Sequence, residues 1–242
     1  MNTTNMKKIA LIWCGDIPGE KSLSESIERA LRSDGQRWDI LSPNDKDFLA
    51  RAPHYEGYVI SGSPKSVIED AESPFVKKLF IFIREVYEHS LSPIIGLCFG
   101  SQAIAVALGG KVKRNLGGHF KLGVESLTWN ATADSSRWPE TTLPAVLVKS
   151  HGECVSLLPR GSIQLASSIT TENEIFLIDE RFLGIQGHPE ANNHLLRQGF
   201  MPYYESMFDN EQWLVIERES KQELHSQPVL DLGRRLLNRG RL

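Results

Sequence analysis

Two short segments hold residue types suited to nucleophilic catalysis. The first is Gly96-Leu97-Cys98-Phe99-Gly100-Ser101-Gln102, where an apolar run gives way to helix-forming residues at a cysteine. Thiolate is the reactive form of cysteine, and the free N–H groups and dipole at a helix N-terminus favour it. The same N–H groups can hold an oxyanion. Gly96 and Gly100 would permit the strained dihedrals and close backbone approach that a tight strand-to-helix elbow requires. The second segment is Gly184-Ile185-Gln186-Gly187-His188-Pro189-Glu190. An imidazole there could take and return a proton, while a carboxylate two positions on orients it. Each segment alone has a plainer reading: Cys98 as a small buried hydrophobe, His188 and Glu190 as an exposed turn. Together they fit a Cys-His-Glu triad for acyl transfer.

The elements that would position these segments follow from the hydrophobic pattern. Lys8 to Trp13, Arg37 to Leu41, Tyr58 to Ile60 and Pro93 to Leu97 read as strands. Ser24 to Arg32, Pro74 to His89 and Ser101 to Leu108 read as helices, the second opened by Ser73-Pro74 and the third stopped by Gly109-Gly110. From Lys111 to Gln186 the pattern changes to short strands, at 123–129, 145–149, 163–168, 174–178 and 182–186, and from 192 to 242 it turns helical. Alternating strands and helices predict an α/β, three-layer sandwich with a mostly parallel central sheet and an antiparallel β extension. The whole chain, 1–242, reads as one domain with a core over about 7–190 and a helical tail over about 192–242. Ligands in such folds sit at the carboxyl ends of the strands. Cys98, the turn Ser61-Gly62-Ser63-Pro64, and His188 all follow strands.

Composition sets the limits. The chain has 242 residues, 40% hydrophobic and 24% charged, with a net charge of −3. These values fit a globular protein and give no electrostatic reason to expect nucleic acid or membrane as a partner. The three cysteines, Cys14, Cys98 and Cys154, form no CxxC pair and no zinc-type cluster, so no metal is expected. Their sparse, odd count suits a reducing, cytoplasmic compartment. Cys14 and Cys154 have no base signature, and His119 reads as a surface residue. His151 is a rival base by residue type, but a neighbouring carboxylate favours His188.

The paired motifs resemble the class I (triad) glutamine amidotransferase family. The resemblance rests on Gly96 to Gln102, then Gly187-His188-Pro189-Glu190, in the order Cys, His, Glu with ninety residues from Cys98 to His188. It is similar in particular to free-standing members: GMP-synthase-like amidotransferases and plant γ-glutamyl peptidases, which share the Gly-Ser-Pro loop. The resemblance implies Cys98, His188 and Glu190 as catalytic groups, with the backbone N–H groups of Ser63 and Phe99 as an oxyanion hole. It further implies Gly62, Gln102, Ser150, His151 and Gly152 as substrate contacts. No cofactor is implied. Two positions depart from the family pattern: Ser63, where a second glycine is common, and Ser101, where a histidine or another larger residue is common. The expected activity is hydrolysis of a γ-glutamyl amide of a small-molecule substrate through a γ-glutamyl thioester. One alternative is a glutaminase subunit delivering ammonia to a separate synthetase partner. Another is a non-catalytic binding protein on the same fold, which the intact triad disfavours.

Overall fold

The computed structural model of the chain describes residues 6–15, 21–131 and 135–242. Strand β1 (Lys7–Ile12), helix α1 (Lys21–Leu31), β2 (Gln36–Leu41), the single turn α2 (Phe48–Arg51) and β3 (Gly57–Ile60) open the fold. Helix α3 (Pro74–His89) follows. Its start is where Ser73 and Pro74 predict it: the Ser73 hydroxyl accepts from the Val76 amide at 3.2 Å, and proline occupies a position whose N–H would be unpaired. Then come β4 (Ile94–Leu97) and α4 (Phe99–Ala107), separated by Cys98 alone.

Strands β5 (Lys111–Arg114) to β12 (Phe182–Ile185) make up the β-rich middle: β6 (Lys121–Ser126), β7 (Thr128–Trp129), β8 (Val146–His151), β9 (Glu153–Leu157), β10 (Ile163–Ser167) and β11 (Ile175–Ile178). The central sheet has the order β2-β1-β3-β4-β12-β11-β10-β7. It is parallel from β2 to β12 and antiparallel from β12 to β7. Strands β3, β4, β11 and β12 are buried at every residue, as expected for strands covered on both faces. One face packs on α3 and α4 through Phe82, Leu79 and Ile104. The other packs on α1 and α8 (Gln227–Arg239) through Ile27, Leu31, Leu232 and Leu236.

Several expectations need correction. The run 123–129 is not one strand: β6 pairs with β8 in a separate two-stranded sheet, while β7 joins β10 at the edge of the main sheet. Strands β5 and β9, which pair with each other, were not anticipated. In β5 the residues are Lys111, Val112, Lys113 and Arg114, and three of the four are exposed, so no apolar run marks it. Within the tail, Val229, Leu232, Leu236 and Leu237 of α8 pack on the same domain and complete its inner layer, so the core extends past the expected limit near 190. Between His188 and α8 the chain forms α5 (Asn193–Leu195), a π-helical turn over 196–200, α6 (Met201–Tyr204) and α7 (Asn210–Glu219).

A buried ion pair lies beneath the end of β8. Lys149 and Glu174 are both fully buried and salt-bridged, and Glu174 also accepts from the Ser168 hydroxyl at 3.1 Å. A buried charge left without its partner costs far more than the pair contributes. Lys149→Met is therefore expected to destabilise the protein by about 3–5 kcal/mol, measured by urea unfolding. Combining it with Glu174→Leu is expected to restore much of that loss; a double variant no more stable than Lys149→Met would contradict this account.

Candidate active site

The strand-to-helix elbow forms because two backbones come too close for side chains. A Cβ at Gly96 would lie 2.5 Å from the Gly100 carbonyl, and one at Gly100 would lie 2.4 Å from the Ile60 carbonyl oxygen. Neither glycine has a positive φ; close approach alone requires them. The strained dihedral falls on Cys98 itself, at φ 49° and ψ −107°. A non-glycine residue holds such a conformation only when its surroundings fix it. The Cys98 N–H donates to Ile185 at 2.8 Å, and the Ser101 and Gln102 amides donate to the Cys98 carbonyl at 3.0 and 3.2 Å. The Ser101 hydroxyl donates to the same carbonyl at 2.7 Å. Ser101 is thus a brace for the elbow, and it lines neither cavity beside Cys98.

The His188 loop leaves β12, which lies next to β4 in the sheet. The His188 N–H donates to the Val148 carbonyl at 2.9 Å, tying the loop to β8. His188 Nδ1 lies 2.8 Å from Glu190 Oε1, and both side chains are buried. Burial opposes a charged ring, but the Glu190 carboxylate, and Cys98 through charge and a hydrogen bond, outweigh it. The His188 pKa is pushed up to about 10. Gly62 closes the third side: a Cβ there would meet His188 Cε1 at 3.1 Å and the Cys98 Cβ at 3.8 Å. A side chain at 62 would therefore press on the Cys98–His188 pair.

The remaining candidates surround this pair. Ser63 and Ser150 line both cavities that meet at Cys98; Phe99, Gln102, His151 and Gly152 line only the more polar one. The Cys98 thiol donates to the Ser150 carbonyl at 3.6 Å. Gln102 donates to the Glu153 carbonyl at 2.8 Å and to Gln186 Oε1 at 3.3 Å. The rival His151 is distinguished by its environment. Burial first, then the charges of Lys149 and His188, hold its pKa well below the ordinary value, and its Nδ1 meets Asn115 Oδ1 at 3.2 Å. Burial raises the thiol pKa of Cys14 and of Cys154, and His119 is exposed. Among the described residues, no group of three or more His, Cys, Asp or Glu could hold a metal ion. No helix among them is long and apolar enough to cross a membrane.

Two contributions were missed by sequence reasoning. Gln186 is fully buried and donates to Cys98 Sγ at 3.7 Å, joining the thiol to Gln102. A glutamine two residues before a candidate base was the available signal. Phe200, Tyr203 and Tyr204 wall the site. Their aromatic spacing was visible, but the π-helical turn that aims Phe200 at His188, with ring centroids 5.0 Å apart, was not.

The His188–Glu190 pair makes stability depend on pH in a definite direction. A histidine whose pKa is raised on folding stabilises fully below its unfolded value, near 6.5, and that stabilisation is lost as pH rises through about 10. The unfolding free energy of the wild type minus that of Glu190→Gln is expected to be largest below pH 6.5 and to shrink as pH approaches 10. A difference independent of pH across that range would contradict the assignment.

Comparison with known proteins identifies the family. The family described as glutamine amidotransferase class-I matches residues 19–201. The chain is 34% identical over 169 residues to γ-glutamyl peptidase 3 of Arabidopsis thaliana, covering 67% of this chain and 66% of that protein. It is 31% identical over 176 residues to a glutamine-hydrolysing GMP synthase of Prochlorococcus marinus (strain NATL1A), covering 69% of this chain and 30% of that protein. The match thus spans just under two thirds of the plant peptidase's length. Among solved structures, a glutamine amido transferase from Methylobacillus flagellatus superposes with a TM-score of 0.76 at 20% identity, covering 98% of this chain and 96% of that one. A glutamine amidotransferase from Thermotoga maritima gives 0.72 at 22%, covering 97% and 98%. At these identities the structural likeness shows the fold. The family match runs through the Gly62 loop, the Cys98 elbow and the His188 loop, and the chain belongs to the class-I glutamine amidotransferases.

Proposed function

We propose that the protein is a cysteine-dependent hydrolase of γ-glutamyl amide bonds. The observation that carries this reading is the convergence of Cys98, His188 and the buried Glu190 at the ends of β4 and β12. The raised His188 pKa favours imidazolium beside Cys98, which suits a thiolate–imidazolium pair. The Cys98 thiolate attacks the γ-carbonyl, forming a C–S bond and an oxyanion. Backbone N–H groups of Phe99 and Ser63 stabilise that oxyanion. As the C–N bond breaks, His188 gives its proton to the departing nitrogen, leaving a γ-glutamyl thioester on Cys98. His188, now neutral, takes a proton from water. The resulting attack breaks the C–S bond, releases glutamate, and restores the thiolate and imidazolium. Glu190 supports the imidazolium at both ends of the cycle. Gly62, Gln102, Ser150, His151 and Gly152 would contact the substrate.

The leaving nitrogen is ammonia if the substrate is glutamine and an amine if it is a γ-glutamyl peptide or amide. The match to a γ-glutamyl peptidase, over comparable shares of both chains, supports the second. A second reading rests on the match to 30% of a GMP synthase: a glutaminase part that passes ammonia to a separate synthetase.

The purified protein alone is expected to release glutamate from γ-glutamyl dipeptides, with Cys98→Ala slower by roughly 10⁴-fold or more. Enzymatic glutamate detection checks this. Undiminished release by Cys98→Ala would overturn the mechanism. Release only from glutamine, and only with a synthetase added, would establish the second reading instead.

A further inference from the structure

Two cavities of different chemistry meet at Cys98. One, about 260 Å³, is lined by Gln102, His151 and Glu153, together with Lys65 and Arg114. The other, about 190 Å³, is walled by Trp13, Leu23, Leu195 and Phe200. His188 lines the second and not the first. Apart from His188, the titratable side chains that line the second cavity among the described residues are Cys98, Tyr203 and Tyr204, all of which it shares with the first.

This asymmetry divides a substrate, granted the hydrolase reading proposed above, on which the division rests. Among the described residues, the lysine, arginine and glutamate side chains available to an ammonium and a carboxylate on the acyl part, Lys65, Arg114, Glu69 and Glu153, line the first cavity and not the second. The departing nitrogen must receive its proton from His188, so it leaves on the side that His188 faces. We infer that the second cavity is a leaving-group site selecting γ-glutamyl amides of an apolar amine, aromatic or branched, over glutamine and over amines that carry a carboxylate. A carboxylate set against Trp13, Leu23 and Phe200 would lose its hydration without gaining a partner among the described residues, where the one cation lining the cavity, His188, is held by Glu190. An aromatic or branched side chain gains apolar contact in the same space. Ammonia gains nothing from it.

The shape of the wall has its own backbone cause. Phe200 and Gly199 come from the π-helical turn, which places the Phe200 ring 5.0 Å from the His188 ring at an interplanar angle of 45°. Such turns interrupt a helix where a side chain must be redirected, and they recur at functional sites. Here the turn adds apolar surface beside the proton donor.

The test compares kcat/KM for γ-glutamyl-benzylamide, γ-glutamyl-glycine and glutamine. The benzylamide is expected to exceed both others by about ten- to a hundredfold. Leu23→Arg, which puts a cation on the partly exposed wall, is expected to narrow the benzylamide-to-glycine ratio by about tenfold. The wild-type ratio decides alone if that variant does not fold. Values within about threefold of one another would overturn the inference and leave the hydrolase reading intact. If the wild type turns over none of the three, the hydrolase reading fails. Calorimetry with Cys98→Ala then decides the cavity separately: tighter binding of the benzylamide supports it, and equal or weaker binding overturns it.

Discussion

The close approach of α4 to β3 is the constraint on which the rest of the site depends. The first turn of α4 lies so near Ile60 that Gly100 has no room for a side chain, and Gly96 is pressed from the other side by the same turn. With both ends fixed, the one residue between strand and helix must turn the chain. That residue is Cys98, held at a positive φ by hydrogen bonds to its amide and carbonyl. Its thiol cannot retreat into the core as an ordinary buried cysteine would. The contrast with Cys14 and Cys154 is instructive, since burial raises both of those thiols and no elbow presents them.

Sheet order then supplies the partner. Because β12 is parallel to β4 and adjacent to it, the loops that leave their carboxyl ends are neighbours. The ninety positions that separate Cys98 from His188 in sequence therefore do not set their separation in space. Within those residues, β8 returns alongside to fix the His188 amide and to carry Ser150 and His151 to the rim. Environment divides the two histidines: His188, beside a buried carboxylate, is driven toward imidazolium, and His151, through burial first and then the charges of Lys149 and His188, is driven toward the neutral form. Residue type alone does not rank them; the adjacent Glu190 supplies a physical reason to prefer His188.

Much of the fold was legible because its strands are short apolar runs bounded by glycine, proline and serine. The start of α3 at Ser73-Pro74 and the positions of the parallel strands β1 to β4 came directly from such signals. What was not legible had no local signal. Strand β5 is mostly Lys and Arg, and its pairing with β9 is a tertiary event. The break at Leu127 between β6 and β7 sends one strand-like segment into two sheets, which alternation cannot show. The π-helical turn at 196–200 looks helical in sequence, yet it decides where Phe200 points. The glycines of the elbow were anticipated for two reasons, strain and close approach, and only close approach applies.

The central claim is that Cys98 carries the acyl group. Acid quenching of the protein during reaction with a γ-glutamyl amide, followed by mass spectrometry of its peptides, tests this most directly. The account predicts a γ-glutamyl adduct on the peptide containing Cys98, lost in Cys98→Ala and diminished when His188 is replaced by a residue unable to protonate the departing nitrogen. Turnover without any adduct on Cys98, or an adduct on Cys14 or Cys154 in its place, would contradict it.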